Sequence, residues 1–90
     1  MQSQLDVCDV VVLLEVLEHI EQDIYVLSII PLGKQVVITV PNFDAKGHVR
    51  FFDNLDVIKE RYGFLIEFGE EQILPHAERH QIFVLKGIRR

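Results

Sequence analysis

Two uninterrupted apolar runs organise this chain. Val10–Leu14 (V-V-V-L-L) and residues 35–40 (Q-V-V-I-T-V) are short, rich in β-branched side chains and bounded by polar or turn residues. Runs of this length without alternation mark strands covered on both faces, the pattern of a parallel sheet. Between them Val16, Leu17, Ile20, Ile24, Leu27 and Ile30 recur at helical spacing, and Val26 and Ile29 widen the stripe. That spacing predicts a helix over residues 15–30. Pro31 stops it, because proline disfavours helical geometry in the residue before it. Pro31-Leu32-Gly33-Lys34 then reads as a turn, with Gly33 available for positive φ.

Beyond Pro41-Asn42, residues 43–52 read as a loop with Gly47 in its middle. Residues 53–62 predict a second helix. Asp53 is its N-cap, Asp56 sits at N3, and Leu55, Ile58 and Tyr62 form its apolar face. Gly63 falls where a left-handed C-cap belongs. Residues 64–68 and 81–86 are two further strands, and residues 69–80 between them are polar and loop-like. With no helix of normal length to cross the sheet, those two strands should pair antiparallel. The order strand, helix, strand, helix, strand, strand is that of an α/β domain with a four-stranded mixed sheet. A right-handed crossover makes the first two strands parallel neighbours.

That topology places the polar residues. Parallel neighbours end on the same edge of the sheet, about 5 Å apart, and open α/β sheets carry their chemistry at the carboxyl ends of strands. Glu15 leaves the first strand there, and Asn42 leaves the second. Glu18 and His19 follow Glu15 at i+3 and i+4, on one face of the expected helix. His48 lies a short loop beyond Asn42. Glu15, Glu18, His19 and His48 are therefore candidate ligands for a divalent ion such as Mg²⁺ or Mn²⁺, and Glu15 or His19 is a candidate general base. Acidic residues at a helix N-terminus are equally well explained by the helix dipole. Phe51-Phe52, next to His48 and Arg50, either floors a substrate pocket or anchors the loop to the core. His76 and His80 are four apart but lack the H-E-x-x-H arrangement, and Pro75 argues for a solvated hairpin loop.

Composition narrows the classes. Ninety residues make one small domain, and 49% of them are hydrophobic. That is more apolar surface than a small open sheet hides easily, and it points to a partner or an oligomer. The net charge of −5 lacks the basic footprint of a nucleic-acid binder. The single cysteine, Cys8, excludes a disulfide framework and suits a reducing, cytoplasmic setting, where it reads as a small packed side chain. No signal-peptide pattern opens the chain, and no apolar run approaches the ~18 residues of a membrane span. G-x-S-x-G, P-loop and G-x-G-x-x-G motifs are absent.

The segment D-V-V-V-L-L-E-V-L-E-H-I at residues 9–20 resembles class I S-adenosylmethionine-dependent methyltransferases, whose fourth strand commonly reads D-V-V-x-x-x-E-V-L-E-H. The family's P-G-G turn stands here as Pro31-Leu32-Gly33. Its V-P-N strand end matches Val40-Pro41-Asn42, its H-x-R-F/Y-F loop matches His48-Val49-Arg50-Phe51-Phe52, and its G-F matches Gly63-Phe64. Together these cover nearly the whole chain. The resemblance implies a partial Rossmann-like fold carrying strands 4-5-7-6 of the family order and lacking strands 1–3. The glycine-rich loop and ribose-binding acid of the cofactor site would go with them.

Further expectations follow from the resemblance. Leu14, Glu15 and Val16 would contribute to the S-adenosylmethionine site, and Asn42, Phe43, His48 and Arg50 to the substrate side. In the small-RNA 3′-terminal 2′-O-methyltransferases and the O-methyltransferases of ubiquinone synthesis, the E-x-x-E-H element is described as binding Mg²⁺ or Mn²⁺. Glu15, Glu18, His19 and His48 match it by position. The function implied is O- or N-methyl transfer to a small molecule or RNA terminus, with the isolated chain binding cofactor weakly or not at all. The alternative is a non-enzymatic module that completes a sheet with a second copy or a partner chain, through the edge formed by residues 10–14.

Overall fold

The computed structural model describes residues 10–77 and 80–90, so Cys8 and Asp9 lie outside the described residues. The elements run β1 (Val10–Leu14), α1 (Asp23–Ser28), β2 (Gln35–Pro41), α2 (Leu55–Tyr62), β3 (Ile66–His76) and β4 (His80–Arg89). They form one four-stranded mixed sheet in the order β1-β2-β4-β3. β1 and β2 are parallel, with Leu14 opposite Thr39, and the pairs β2–β4 and β3–β4 are antiparallel. The α/β class, the strand order and every strand direction agree with the expectations from sequence.

Burial alternates along the strands. Val11, Val36, Ile38, Val40, Phe83 and Leu85 are buried on one face, against Leu17, Leu27, Ile30, Phe52, Ile58 and Tyr62. The opposite face is open: Val10, Val12 and Leu14 are 39%, 51% and 61% exposed, and Ile88 is exposed beside them. β1 is thus apolar on both faces but covered on only one, which corrects the expectation of a doubly buried strand. It is also an edge, since β2 is its only neighbour among the described residues.

Three element boundaries differ from the sequence pattern. The helix expected over 15–30 is confined to Asp23–Ser28. Glu15 takes φ 54, a left-handed turn that a helix start does not permit, and a tight turn follows in which the His19 N–H donates to the Val16 carbonyl at 3.0 Å. The second helix is capped by Asn54, not Asp53: the Asn54 side chain accepts from the Val57 N–H at 3.0 Å. It ends at Gly63 in right-handed geometry (φ −64), without a left-handed cap. Most of the expected 69–80 loop is strand. β3 carries a bulge at Gly69 and runs on through Glu70-Glu71-Gln72 to His76, which pairs with His80. Polar residues suit this strand because it is the far edge of the sheet, open to water.

Candidate functional site

The carboxyl ends of β1 and β2 meet as the topology requires. The Glu15 N–H donates to both the hydroxyl (2.9 Å) and the carbonyl (3.1 Å) of Thr39, which fixes the point where the chain leaves β1. Its left-handed backbone then turns residues 16–20 back under the sheet edge. Leu17 and Glu18 are buried by that turn, while Glu15 and His19 stay exposed.

The loop after β2 closes on the same turn. Gly47, at φ 91, directs its carbonyl to His19 Nδ1 at 2.9 Å, and the Val49 N–H donates to the Glu18 carbonyl at 2.7 Å. His48 Nδ1 reaches the Phe43 carbonyl at 3.3 Å. The two imidazoles meet edge to face, with centroids 4.7 Å apart. A ring nitrogen bound to a carbonyl must carry the proton, so in each neutral histidine the lone pair lies on Nε2. Metal-binding histidines are held in this way by a backbone acceptor behind the ring.

Glu18 completes the set. It is 1% exposed, and neither of its carboxylate oxygens has a hydrogen-bond partner. His19 Nε2 stands 4.0 Å from Glu18 Oε2. One ligand atom from each of Glu18, His19 and His48 lies within 4.8 Å of the others. Burial pushes the Glu18 carboxyl above the usual carboxylate range. Its own N–H, close without closing a proper hydrogen bond, and the two imidazoles act against this, while the Glu15 charge adds to it.

Native proteins leave few buried polar atoms unsatisfied, and each asks for a partner. A carboxylate oxygen gathered with one nitrogen from each of two imidazoles is a mixed N,O donor set with a single negative charge. Such a set fits a divalent ion of the first transition row better than Mg²⁺, which prefers oxygen alone; Mn²⁺, though hard, accepts such mixed ligands. The residues present therefore fit a metal.

Of the four ligands expected from sequence, the structure gathers Glu18, His19 and His48 and leaves Glu15 outside, near enough only for its charge to act on Glu18. Leu14 and Val16, expected at a cofactor, flank Glu15 at the open sheet edge, Leu14 exposed and Val16 half-buried. Asn42 has its carboxamide engaged within the chain. Its carboxamide oxygen accepts from the Gln81 N–H at 2.8 Å, its nitrogen donates to Gln81 Oε1 at 3.4 Å, and the loop is thereby tied to β4. Phe43 stacks on His76 and His80, with centroids at 5.3 and 4.3 Å, so all four histidines of the chain join one aromatic cluster with Phe43. The hairpin-loop reading of His76 and His80 is corrected accordingly: they are strand ends that cover Phe43. Phe52 is buried and Phe51 exposed, so Phe52 is the residue that anchors the loop.

Arg50, expected on the substrate side, is likewise engaged within the chain. Its guanidinium donates to the Leu17 carbonyl, to the Ile20 carbonyl at 2.6 Å and to the Glu21 carbonyl at 3.2 Å, and it lies 3.4 Å from Asp23 Oδ1. Asp23, 1% exposed, is the centre of a network that sequence reasoning missed. Arg61 grips it with two bonds of 2.7 and 2.9 Å, and the Tyr62 hydroxyl donates to it at 2.6 Å. Burial alone would raise the Asp23 carboxyl, but the bonds from Arg61 and Tyr62 and the Arg50 charge outweigh it and hold the carboxyl below its usual range. Asp23 and Arg61 are far apart in the chain, and the only local signal is an acidic residue in the first turn of a helix.

Among the described residues no helix is long and apolar enough to cross a membrane. Comparisons with protein-family models, with curated proteins and with solved structures found no match to this chain.

Proposed function

We propose that this chain is the substrate-side half of a Rossmann-like, S-adenosylmethionine-dependent methyltransferase whose acceptor is oriented by a divalent ion at Glu18, His19 and His48. The buried, unpartnered Glu18 carboxylate facing two carbonyl-anchored imidazoles carries this reading. The E-V-L-E-H, V-P-N and H-V-R-F-F motifs and the strand order β1-β2-β4-β3 support it. An ion held there would lower the pKa of a bound acceptor hydroxyl, easing attack on a methyl donor. The chain's own part is positioning: Gly47 and Phe43 hold the imidazoles, Val49 holds the Glu18 backbone, and Glu15 offers an exposed carboxylate at the sheet edge as proton acceptor. In this reading Leu14, Glu15 and Val16 are the chain's share of the cofactor site, and the rest comes from strands that β1 lacks as neighbours.

Calorimetric titration of Mn²⁺ into wild type and Glu18→Ala is the test. Binding is expected for wild type and not for the variant, and equal binding by both would end the metal reading. Micromolar S-adenosylmethionine binding by the monomeric chain would refute the need for a second half.

A second reading is favoured by β1 itself. Its edge, unpaired among the described residues, and its open apolar face suit a module that completes a sheet with another strand-bearing chain. A self-associating species, lost in Val12→Lys, is expected by light scattering, whereas a stable monomer at high concentration counts against it.

A further inference from the structure

We propose that Arg50 is the positioning residue of the Glu18–His19–His48 triad, setting the ligand geometry through the backbone of the turn that carries two of the three ligands. The inference rests on the metal reading above. The turn over residues 17–21 is not helical, so its carbonyls lack the intrahelical partners that a ladder would supply. Leu17 and Glu18 are buried, and water cannot readily replace those partners. One guanidinium does so: Arg50 takes the carbonyls of Leu17 and Ile20 on Nη1 and that of Glu21 on Nη2. These carbonyls bracket Glu18 and His19 on both sides. Arg50 stands two residues beyond His48 on the same loop, so it joins the backbone of the third ligand to that of the first two.

Its own orientation is fixed by Asp23, 3.4 Å away, which Arg61 and Tyr62 hold in turn. The planar fork of arginine presents donors in fixed directions, and a lysine ammonium is a point charge that cannot serve three carbonyls in one plane. The bonds that Arg50 makes go to the backbone of the turn and to Asp23, so it acts through the turn.

The test separates positioning from stability. Asn54→Ala removes the N-cap of α2 and leaves Asp23, Arg50 and the carbonyls of the 17–21 turn bonded as before. Arg50→Lys disturbs the turn. Both variants should lower the melting temperature of the metal-free chain. Only Arg50→Lys should weaken Mn²⁺ binding, by about 10- to 100-fold, as loss of outer-shell support does at metal sites. It should also change the visible absorption of bound Co²⁺, which reports ligand geometry and not stability. A Kd for Arg50→Lys within twofold of wild type, with an unchanged Co²⁺ spectrum, overturns the inference and leaves the metal reading standing. So does an equal loss of affinity in Asn54→Ala. Wild-type protein that binds neither ion overturns both.

Discussion

Replacing Glu18 by glutamine should stabilise the metal-free protein and destroy its response to metal. The two side chains have nearly the same shape, so the core around residue 18 is unchanged. What changes is charge. An unsatisfied buried polar group costs about 1–3 kcal/mol, and more when ionised. Both Glu18 oxygens are in that state. Glutamine keeps unsatisfied polar atoms but cannot ionise, so it should gain up to about 1–2 kcal/mol over wild type at pH values where the carboxylate is the form being buried. In a domain of this size each kcal/mol moves the melting temperature by about 4–8 °C.

The pH dependence carries the same sign. The Glu18 carboxyl is raised in the folded chain above its ordinary 4.5. Between the unfolded and the folded pKa the native state therefore holds more protons than the unfolded one. Stability contributed by the protonated form is complete below the unfolded value and is lost as pH rises through the folded value. Wild type in chelator should weaken across that window above 4.5, and Glu18→Gln should not. Mn²⁺ reverses the order. At a hundredfold excess over its Kd an ion adds about 2.7 kcal/mol to wild type and nothing to a variant that cannot bind it. Melting curves at several pH values, in chelator and in Mn²⁺, read all of this. A Glu18→Gln protein that melts below wild type in chelator, or shifts as much as wild type with Mn²⁺, would refute the reasoning.

Four other substitutions probe the supports of the site. Asp23→Ala strips Arg61, Tyr62 and Arg50 of a shared acceptor and should cost about 2–3 kcal/mol in urea unfolding, because the buried Tyr62 hydroxyl loses its partner while the Arg61 guanidinium, 40% exposed, turns to water; a change under 1 kcal/mol would show that the network is not central. Because the Asp23 carboxyl is held low, its contribution is present above its unfolded pKa and fades as pH falls through the folded value, so Asp23→Asn should flatten the acid limb of stability against pH. Tyr62→Phe removes only the hydroxyl donor to Asp23 and should cost about 1.5–3 kcal/mol, again in urea, with β-sheet circular dichroism preserved. Gly47→Ala forces a side chain into φ 91, a strain of about 1–2 kcal/mol, although its Cβ would meet the His19 ring at an ordinary 3.5 Å. Mn²⁺ affinity should fall with stability, because the Gly47 carbonyl holds His19; unchanged affinity would mean that the anchor is dispensable.

Local pattern and distant bonding contribute separately here, and the 15–30 segment shows where they part. Its apolar stripe names the right core residues: Leu17, Leu27 and Ile30 are buried, and Ile20 and Ile24 pack against the core. The conformation inferred from the stripe is nevertheless wrong over most of its length. Periodicity reports which side chains face inward, and a turn followed by a six-residue helix can satisfy it as well as four turns of helix. What decides is the partner for each carbonyl, and for Leu17, Ile20 and Glu21 that partner is Arg50, about thirty residues on. No window of local sequence contains both. The same holds for Asp23 with Arg61, and for His76 and His80, whose place over Phe43 depends on an edge strand too polar to stand out.

Glu18, His19 and His48 were legible for the opposite reason. The two apolar strands are unmistakable, their parallel pairing follows from the connection between them, and residues just beyond parallel strand ends must meet whatever the intervening turn does. Glu15 illustrates the limit of that argument. Proximity along the chain put it with the ligands, but its left-handed backbone and its bond to Thr39 point the following residues inward and leave Glu15 itself in solvent. A strained non-glycine residue at that corner is the device that separates an exposed carboxylate from a buried one three residues later, and it gives Glu15 and Glu18 environments suited to different roles.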